Sequence, residues 1–282
     1  MRQTIVIKDL AIGYPGKRSV KTVAEDINDI LQSGCLTCLL GENGAGKSTL
    51  LRTLAGFQPA LKGSIEIMGK PLPQYKEKEL ATVVGVVLTE RTNVQNMSVA
   101  ELVGMGRSPY TNFWGRLTAE DKAKTEAAME LVGIEPLKDR LVQTLSDGER
   151  QKAMIAKTLA QETPIIFLDE PTAFLDYPSK VEMLRLLRRL AVEMDKTVFM
   201  STHDLELALQ MADRLWLMAK NGGDVSAQKD ASASPGSISA KSGVIAGTPD
   251  ELAQAGTLER FFARKGISFK NIEGHYRPVI TE

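Results

Sequence analysis

The chain has 282 residues, 43% hydrophobic and 25% charged, enough apolar material for one large domain or a domain with a subdomain. Lys+Arg and Asp+Glu both number 35, so no bulk charge argues for nucleic acid or an anionic lipid surface. No stretch approaches the ~18 consecutive apolar residues of a membrane helix, and the opening MRQTIVIKDL lacks a secretory signal's layout. The expectation is a cytoplasmic chain that reaches a membrane only by holding another protein.

In chain order, residues 3–10 (QTIVIKDL) and 35–40 read as strands, with a turn at Tyr14-Pro15-Gly16-Lys17 between them. Cys35 and Cys38 have the Cys-x-x-Cys spacing of a redox or zinc site. On a strand, however, residues three apart point to opposite faces. There is no second cysteine pair, and His203 and His275 are the only histidines. Both cysteines therefore read as small buried apolar residues.

The second strand runs into Gly41-Glu42-Asn43-Gly44-Ala45-Gly46-Lys47-Ser48-Thr49, the Gly-x4-Gly-Lys-Ser/Thr pattern of a phosphate-binding loop. Its glycines let backbone N–H groups approach phosphate oxygens, and the helix starting near Gly46 adds its positive end. Lys47 reaches the β- and γ-phosphates, and Ser48 is a Mg²⁺ ligand. The chain is expected to bind a nucleoside triphosphate.

The helix continues over 49–55, and 63–68 and 83–88 read as strands. From 98 to 133 the pattern is helical: MSVAELVGMGR and LTAEDKAKTEAAMELVG, separated by SPYTNFWG. Ser98 with Glu101 and Thr118 with Asp121 fit capping boxes. Residues 92–160 are thus expected to form a helical subdomain. Strand character returns at 164–168, 197–200 and 214–218, with a long helix over 179–194. Such alternation predicts a mainly parallel sheet covered by helices. Residues 220–243, rich in Ser, Ala, Gly, Lys and Asp, read as a flexible surface excursion between two strands.

Three further features carry chemistry. The apolar run 164–168 ends in Asp169 and Glu170; Asp169 is placed to hold Mg²⁺ through its water shell, and Glu170 to accept a proton from attacking water or orient it. Leu145-Ser146-Asp147-Gly148-Glu149 opens a helix. Ser146 and Glu149 form a capping box there, and Ser146, the Gly148 backbone and the helix N-terminus offer a second phosphate-binding surface. His203, following the strand TVFMS, is suited to hydrogen-bond a γ-phosphate and sense its presence.

In this order the motifs resemble those of the nucleotide-binding subunit of an ABC transporter, across nearly all of residues 3–262. Walker A is 41–49, the signature is LSDGE at 145–149, Walker B is 165–170, and the switch histidine is His203. The D-loop is Ala173-Phe174-Leu175-Asp176, and Tyr14 falls where the family stacks an aromatic on adenine. The resemblance implies one ABC-type P-loop NTPase domain over 1–282: an α/β fold with a mainly parallel core, an N-terminal antiparallel β part and a helical subdomain. It implies hydrolysis of ATP with Mg²⁺, with Glu170, His203 and Lys47 at the chemistry. It also implies a head-to-tail homodimer in which Ser146, Gly148 and Glu149 act in trans, with Asp176 near the nucleotide. The implied partners are integral membrane permease subunits and, indirectly, a substrate-binding protein, which places the chain peripherally on the cytoplasmic face of the plasma membrane.

Residues 101–110 (ELVGMGRSPY) and 113–117 (FWGRL) resemble the subgroup that energises uptake of iron–siderophore complexes, haem and cobalamin. A free metal ion or another small cargo is the alternative within transport. A soluble, non-transport ABC ATPase acting on ribosomes or nucleic acid is the alternative outside it, and the single motif set and absent basic excess argue against that. The sequence departs from the family at three places, one of them the 220–243 excursion, which has no counterpart to which a function is assigned. Thr89 stands where a Mg²⁺-contacting glutamine is usual, so Thr89 with Glu90 is the expected substitute and Gln95 the alternative. Asp147 stands for the usual glycine of the signature, so an added acid approaches the phosphates unless it points outward.

Overall fold

The computed structural model describes residues 1–16, 20–88, 95–220, 243–263, 267–272 and 275–280. Four strands open the chain: β1 (Gln3–Tyr14), β2 (Lys21–Gln32), β3 (Leu36–Gly41) and, after helix α1 (Lys47–Leu54), β4 (Lys62–Ile67). The short strand β5 (Lys70–Pro71) and helix α2 (Glu77–Leu80) lead to β6 (Val84–Val87). Helices α3 (Val99–Gly104), α4 (Ala119–Leu131) and α5 (Asp147–Ala160) follow. The chain then alternates β7 (Ile165–Leu168), α6 (Tyr177–Glu193), β8 (Thr197–Thr202), α7 (Leu205–Met211) and β9 (Arg214–Met218). It closes with β10 (Val244–Gly247), α8 (Pro249–Gln254), α9 (Thr257–Phe262), β11 (Ile267–Ile272) and β12 (His275–Ile280).

The central sheet has the order β10-β9-β3-β8-β7-β6 and is parallel apart from β10. Its strands are covered on both faces, so they read as continuous apolar runs rather than alternating ones. Leu36, Cys38 and Leu40 of β3 join one core with α3 to α7, while Leu39 joins the other with α1 and β1. β8 splits likewise, Val198 and Met200 to the first core and Phe199 to the second. There Phe199 meets Phe167 and Trp216 edge-on, at centroid distances of 5.8 and 5.2 Å. Both cysteines are buried free thiols, raised above the usual thiol range chiefly by desolvation, as expected of packing residues.

A second, antiparallel sheet has the order β2-β1-β4-β5. Its strand β2 has no counterpart in the sequence reading. The buried positions Ala24, Ile27 and Leu31 are spaced three and four apart, like a helix face. Asp26 at φ 56° accompanies a register shift that puts Ala24 opposite Ile12 but Ile27 opposite Leu10. An inserted residue of this kind breaks the period of two.

Between β6 and β7 the described residues from 95 onward hold α3, α4 and α5, and the two capping boxes read from the sequence are formed, Ser98–Glu101 on α3 and Thr118–Asp121 on α4. Arg107, only 3% exposed, ties it together by donating to Asp121 Oδ1 (2.9 Å), the Ala160 carbonyl (2.7 Å) and Glu162 Oε2 (2.8 Å). Phe113 and Trp114, by contrast, are 95% and 79% exposed and belong to the surface, not to the packing of this block. β9 and β10 pair antiparallel and Ala219 N–H donates to the Gly243 carbonyl (3.2 Å), so the excursion leaves and re-enters at adjoining strand ends. Residues 221–242 of that excursion lie outside the described residues. The hairpin β11–β12 was also not anticipated; Phe269 and Tyr276 pack it against the main core, which a two-stranded ribbon needs for stability.

Candidate active site

The sheet order places three parallel strands side by side, β3, β8 and β7, and each ends in a predicted site segment. The carboxyl ends of such strands are where open α/β sheets bind ligands. β3 delivers the phosphate-binding loop, β7 delivers Asp169 and Glu170, and β8 delivers His203. A turn at residues 42–46 connects β3 to the N-terminus of α1. Gly46 has φ 109°, and a Cβ there would lie 2.1 Å from Val23 Cγ1, so only glycine fits. Lys47 is buried, with Nζ donating to the carbonyls of Gly41 (2.9 Å) and Glu42 (3.3 Å) and lying 3.4 Å from Glu170 Oε1.

Glu170 links the loop to the histidine. Its other oxygen, Oε2, lies 3.4 Å from His203 Nδ1. The backbone at Glu170 is left-handed, φ 46°, an uncommon conformation for a residue other than glycine. Ser201 explains how it is held. Its fully buried hydroxyl donates to Asp169 Oδ1 (2.6 Å) and accepts from the Glu170 N–H (2.9 Å), fixing both acidic residues. Because Leu168 pairs with Met200, the next residues along, Asp169 and Ser201, fall opposite each other. In the sequence Ser201 reads only as part of the strand before His203; its signal is a buried hydroxyl directly after the apolar run Val198–Met200.

A cleft of about 690 Å³ runs along the loop. Asn43, Gly44, Ala45, Gly46, Lys47, Ser48 and Thr49 line one side, with Asp169, Glu170 and Tyr14 around it. The Tyr14 hydroxyl hydrogen-bonds Thr49 Oγ1 at 2.7 Å, which anchors the aromatic ring beside the loop. Two lysines that sequence reasoning missed, Lys21 and Lys220, also line the cleft and add positive charge to it. Gly41 and Glu42 instead line a smaller cavity of about 370 Å³ that includes His203. A larger cleft of about 820 Å³ between α4 and α6 contains none of the predicted site residues.

The signature does not line the cleft in the same chain. Ser146 caps α5: its N–H donates to Glu149 Oε2 (2.8 Å) and its Oγ accepts from the Glu149 N–H (3.2 Å). This holds the Glu149 carboxyl below the usual carboxylate range, with the Ser146 backbone as the main cause. Gly148 faces open space, where an added Cβ would meet only Leu175 Cδ2 at 3.8 Å. Asp147 is 44% exposed with Arg150 3.6 Å away, so its charge is partly matched. Asp176 caps α6 by accepting from the Ser179 N–H (3.1 Å). Thr89 and Glu90 lie outside the described residues, and Gln95 is exposed.

The ABC transporter family model matches residues 24–173, more than half of the chain and inclusive of the loop, signature and Asp169-Glu170 segments. The chain belongs to the ABC transporter family. Like other members of this family it is a nucleotide-binding ATPase subunit. An uncharacterized ABC transporter ATP-binding protein of Methanocaldococcus jannaschii is 44% identical over 75% of this chain and 71% of that one. The ferric enterobactin transport ATP-binding protein FepC of Escherichia coli is 36% identical over 90% of this chain and 85% of its own length. Among solved structures, a metal-chelate type ABC transporter in an inward-facing conformation matches with a TM-score of 0.76 at 24% identity, covering 99% of this chain and 98% of that one. The last comparison bears on fold alone, and it agrees with the ABC cassette architecture described above.

Proposed function

We propose that this chain is the ATP-hydrolysing subunit of an importer that takes up a metal chelate (an iron–siderophore complex, haem or cobalamin) through a separate membrane permease. The observation that carries the enzymatic part is the convergence of Lys47, Asp169, Glu170 and His203 at adjacent strand ends. FepC, similar over most of its length, supports the cargo class, as do the residues GRSPY at 106–110 and FWGRL at 113–117. Among the described residues no helix is long and apolar enough to cross a membrane; the likeness to importer subunits such as FepC supports a peripheral place on the cytoplasmic face, held by the permease.

ATP lies in the cleft with its phosphates against the backbone N–H groups of 43–49 and its adenine on Tyr14. Lys47 then exchanges its loop carbonyls for phosphate oxygens. The donors suit Mg²⁺: the Ser48 hydroxyl and the Asp169 carboxylate border the cleft, and no cluster of three or more His, Cys, Asp or Glu competes among the described residues. An ion held by one carboxylate and substrate phosphates is the usual arrangement for Mg²⁺. Bound there, it would supply positive charge to neutralise the phosphate oxygens; Thr89 and Glu90 are the further candidates to hold it. Glu170, between Lys47 and His203, accepts the proton of the attacking water, and His203 contacts the γ-phosphate. Ser146 and Gly148 contribute from a second copy, since in their own chain they lie away from the cleft.

Glu170→Gln should retain ATP binding and lose turnover by about 100-fold or more, the range for a general base. A tagged subunit extracted from detergent-solubilised membranes should bring along a polytopic permease at roughly equal amount. Vesicles holding that complex should accumulate a ferric siderophore, haem or cobalamin when ATP is present. Wild-type turnover by Glu170→Gln would remove its assigned role, and recovery with ribosomes instead of a permease would end the importer reading.

A further inference from the structure

Two lysines line the nucleotide cleft and take no part in the mechanism above. Lys21 is the β2 residue directly opposite Tyr14 in the β1–β2 pair. Residues so paired in an antiparallel ladder stand on one face, with Cβ atoms about 4.5–5.5 Å apart. Lys21 and the Tyr14 ring therefore border the cleft together. Lys220 arrives from another strand. It lies two residues beyond Met218, the last residue of β9, which pairs with Gly41 at the entry to the loop. The two approaches converge on the loop, because a Cβ at Gly46 would meet both Val23 of β2 and Met218 of β9.

The charges that line the cleft are not all matched. Its carboxylates are already engaged, Asp169 by the Ser201 hydroxyl and Glu170 between Lys47 and His203. Lys47 has the Gly41 and Glu42 carbonyls as acceptors besides. Lys21 and Lys220 are exposed, and among the described residues neither ammonium meets a carboxylate. The hydrogen bond of 2.7 Å from Tyr14 to Thr49 keeps the ring close to the end of the loop. A nucleotide with its base on Tyr14 and its outer phosphates on the loop passes its α-phosphate between the two, along the stretch that Lys21 and Lys220 border.

We propose that Lys21 and Lys220 clamp the α-phosphate of the bound nucleotide, the group that ATP and ADP share. The inference rests on the reading of this cleft as the ATP site. An ammonium is a compact charge with three donors on a flexible stem, which suits it to phosphate oxygens. Hydrolysis leaves the α-phosphate unchanged, so the clamp holds substrate and product alike. Binding of that uniform kind sets nucleotide affinity and the retention of ADP, and does not speed the chemical step. The division of labour is then spatial: Lys47 serves the phosphates that react, and Lys21 and Lys220 serve the one that does not.

Calorimetry on the full chain, with Mg·ATP and with Mg·ADP, tests the clamp. Lys21→Gln and Lys220→Gln are surface changes that should melt like the parent. Each is expected to weaken both nucleotides about 3- to 10-fold, the range for one charge-assisted contact. Arginine at both positions keeps the charge and should restore affinity to within about threefold of the parent. Added salt should weaken the parent more steeply than the Lys21→Gln/Lys220→Gln double variant, because screening acts on ion pairs that the double variant lacks. Parental affinity in the double variant would overturn the clamp. So would a loss for ATP without one for ADP, which puts the lysines on the γ-phosphate, or equal losses with an unchanged salt slope, which puts them on the uncharged nucleoside. Lys47→Ala separates these results from failure of the underlying reading. If it loses ATP while the double variant does not, only the clamp falls; if it too binds ATP like the parent, the cleft is not the nucleotide site and both fall.

Discussion

Replacing Ser201 by alanine isolates the positioning of the two carboxylates from the carboxylates themselves. The hydroxyl is fully buried and makes two hydrogen bonds, 2.6 Å to Asp169 Oδ1 and 2.9 Å from the Glu170 N–H. Losing the bond to a charged acceptor removes about 1.5–3 kcal/mol, and leaving the Glu170 N–H short of an acceptor costs about 1–3 kcal/mol. With partial rescue by water the sum is about 2–4 kcal/mol, or a fall in Tm of about 4–10 °C for a chain of this size. Turnover should fall further than stability requires, because displacement of a catalytic group by about 1 Å can cost about 100-fold. We therefore expect kcat for phosphate release to drop about 10- to 100-fold, with a much smaller change in KM. Ser201→Thr keeps the hydroxyl but adds a methyl to a filled slot, so it should be no more stable than alanine yet turn over faster. Alanine turnover within twofold of the parent, or a folded threonine variant no faster than alanine, would refute the positioning role.

Gly46→Ala forces a Cβ to within 2.1 Å of Val23 Cγ1 at a φ of 109°, so ATP affinity by calorimetry should fall about tenfold or more. Arg107→Met leaves Asp121 without its cation in a buried setting and should lower stability by about 3–5 kcal/mol in urea melts, with Arg107→Lys intermediate because it lacks the planar fork. The Asp121 carboxyl is held down to about 2, first by the Thr118 N–H, then by the Thr118 hydroxyl and Arg107. A depressed acid stabilises the fold above its unfolded pKa of about 3.9 and loses that contribution as pH falls toward 2. The stability gap between parent and Asp121→Asn should be full at pH 6 and narrow below about pH 4; a constant gap would show the carboxylate's charge is irrelevant. Asp147→Gly should change ATP-dependent dimer affinity by less than about threefold, because Asp147 is half exposed with Arg150 alongside.

Much of this was legible because it is local. The 41–49 loop, the Ser98, Thr118 and Ser146 capping boxes, and the apolar runs of β3, β6, β7, β8 and β9 are each set by residues within one turn or strand. Strand β2 was hidden because its bulge at Asp26 gives its buried residues a helical spacing. The hairpin β11–β12 was hidden because its stability comes from docking on the core through Phe269 and Tyr276, not from its own pattern.

The sequence by itself determined which residues are proposed to carry the chemistry, since a glycine-rich loop, an apolar strand ending in two acids and a histidine after a strand are short-range patterns. Only the tertiary structure decided how they meet. Strand order sets β8 between β3 and β7, which makes Glu170 a neighbour of both Lys47 and His203. Register sets Ser201 opposite Asp169, turning an ordinary strand serine into the clamp of both carboxylates. The same folding keeps Ser146 and Gly148 off the cleft of their own chain and sets Leu175 against Gly148. Contacts between residues more than 30 positions apart follow from the pairing of whole strands, and no local pattern encodes that pairing.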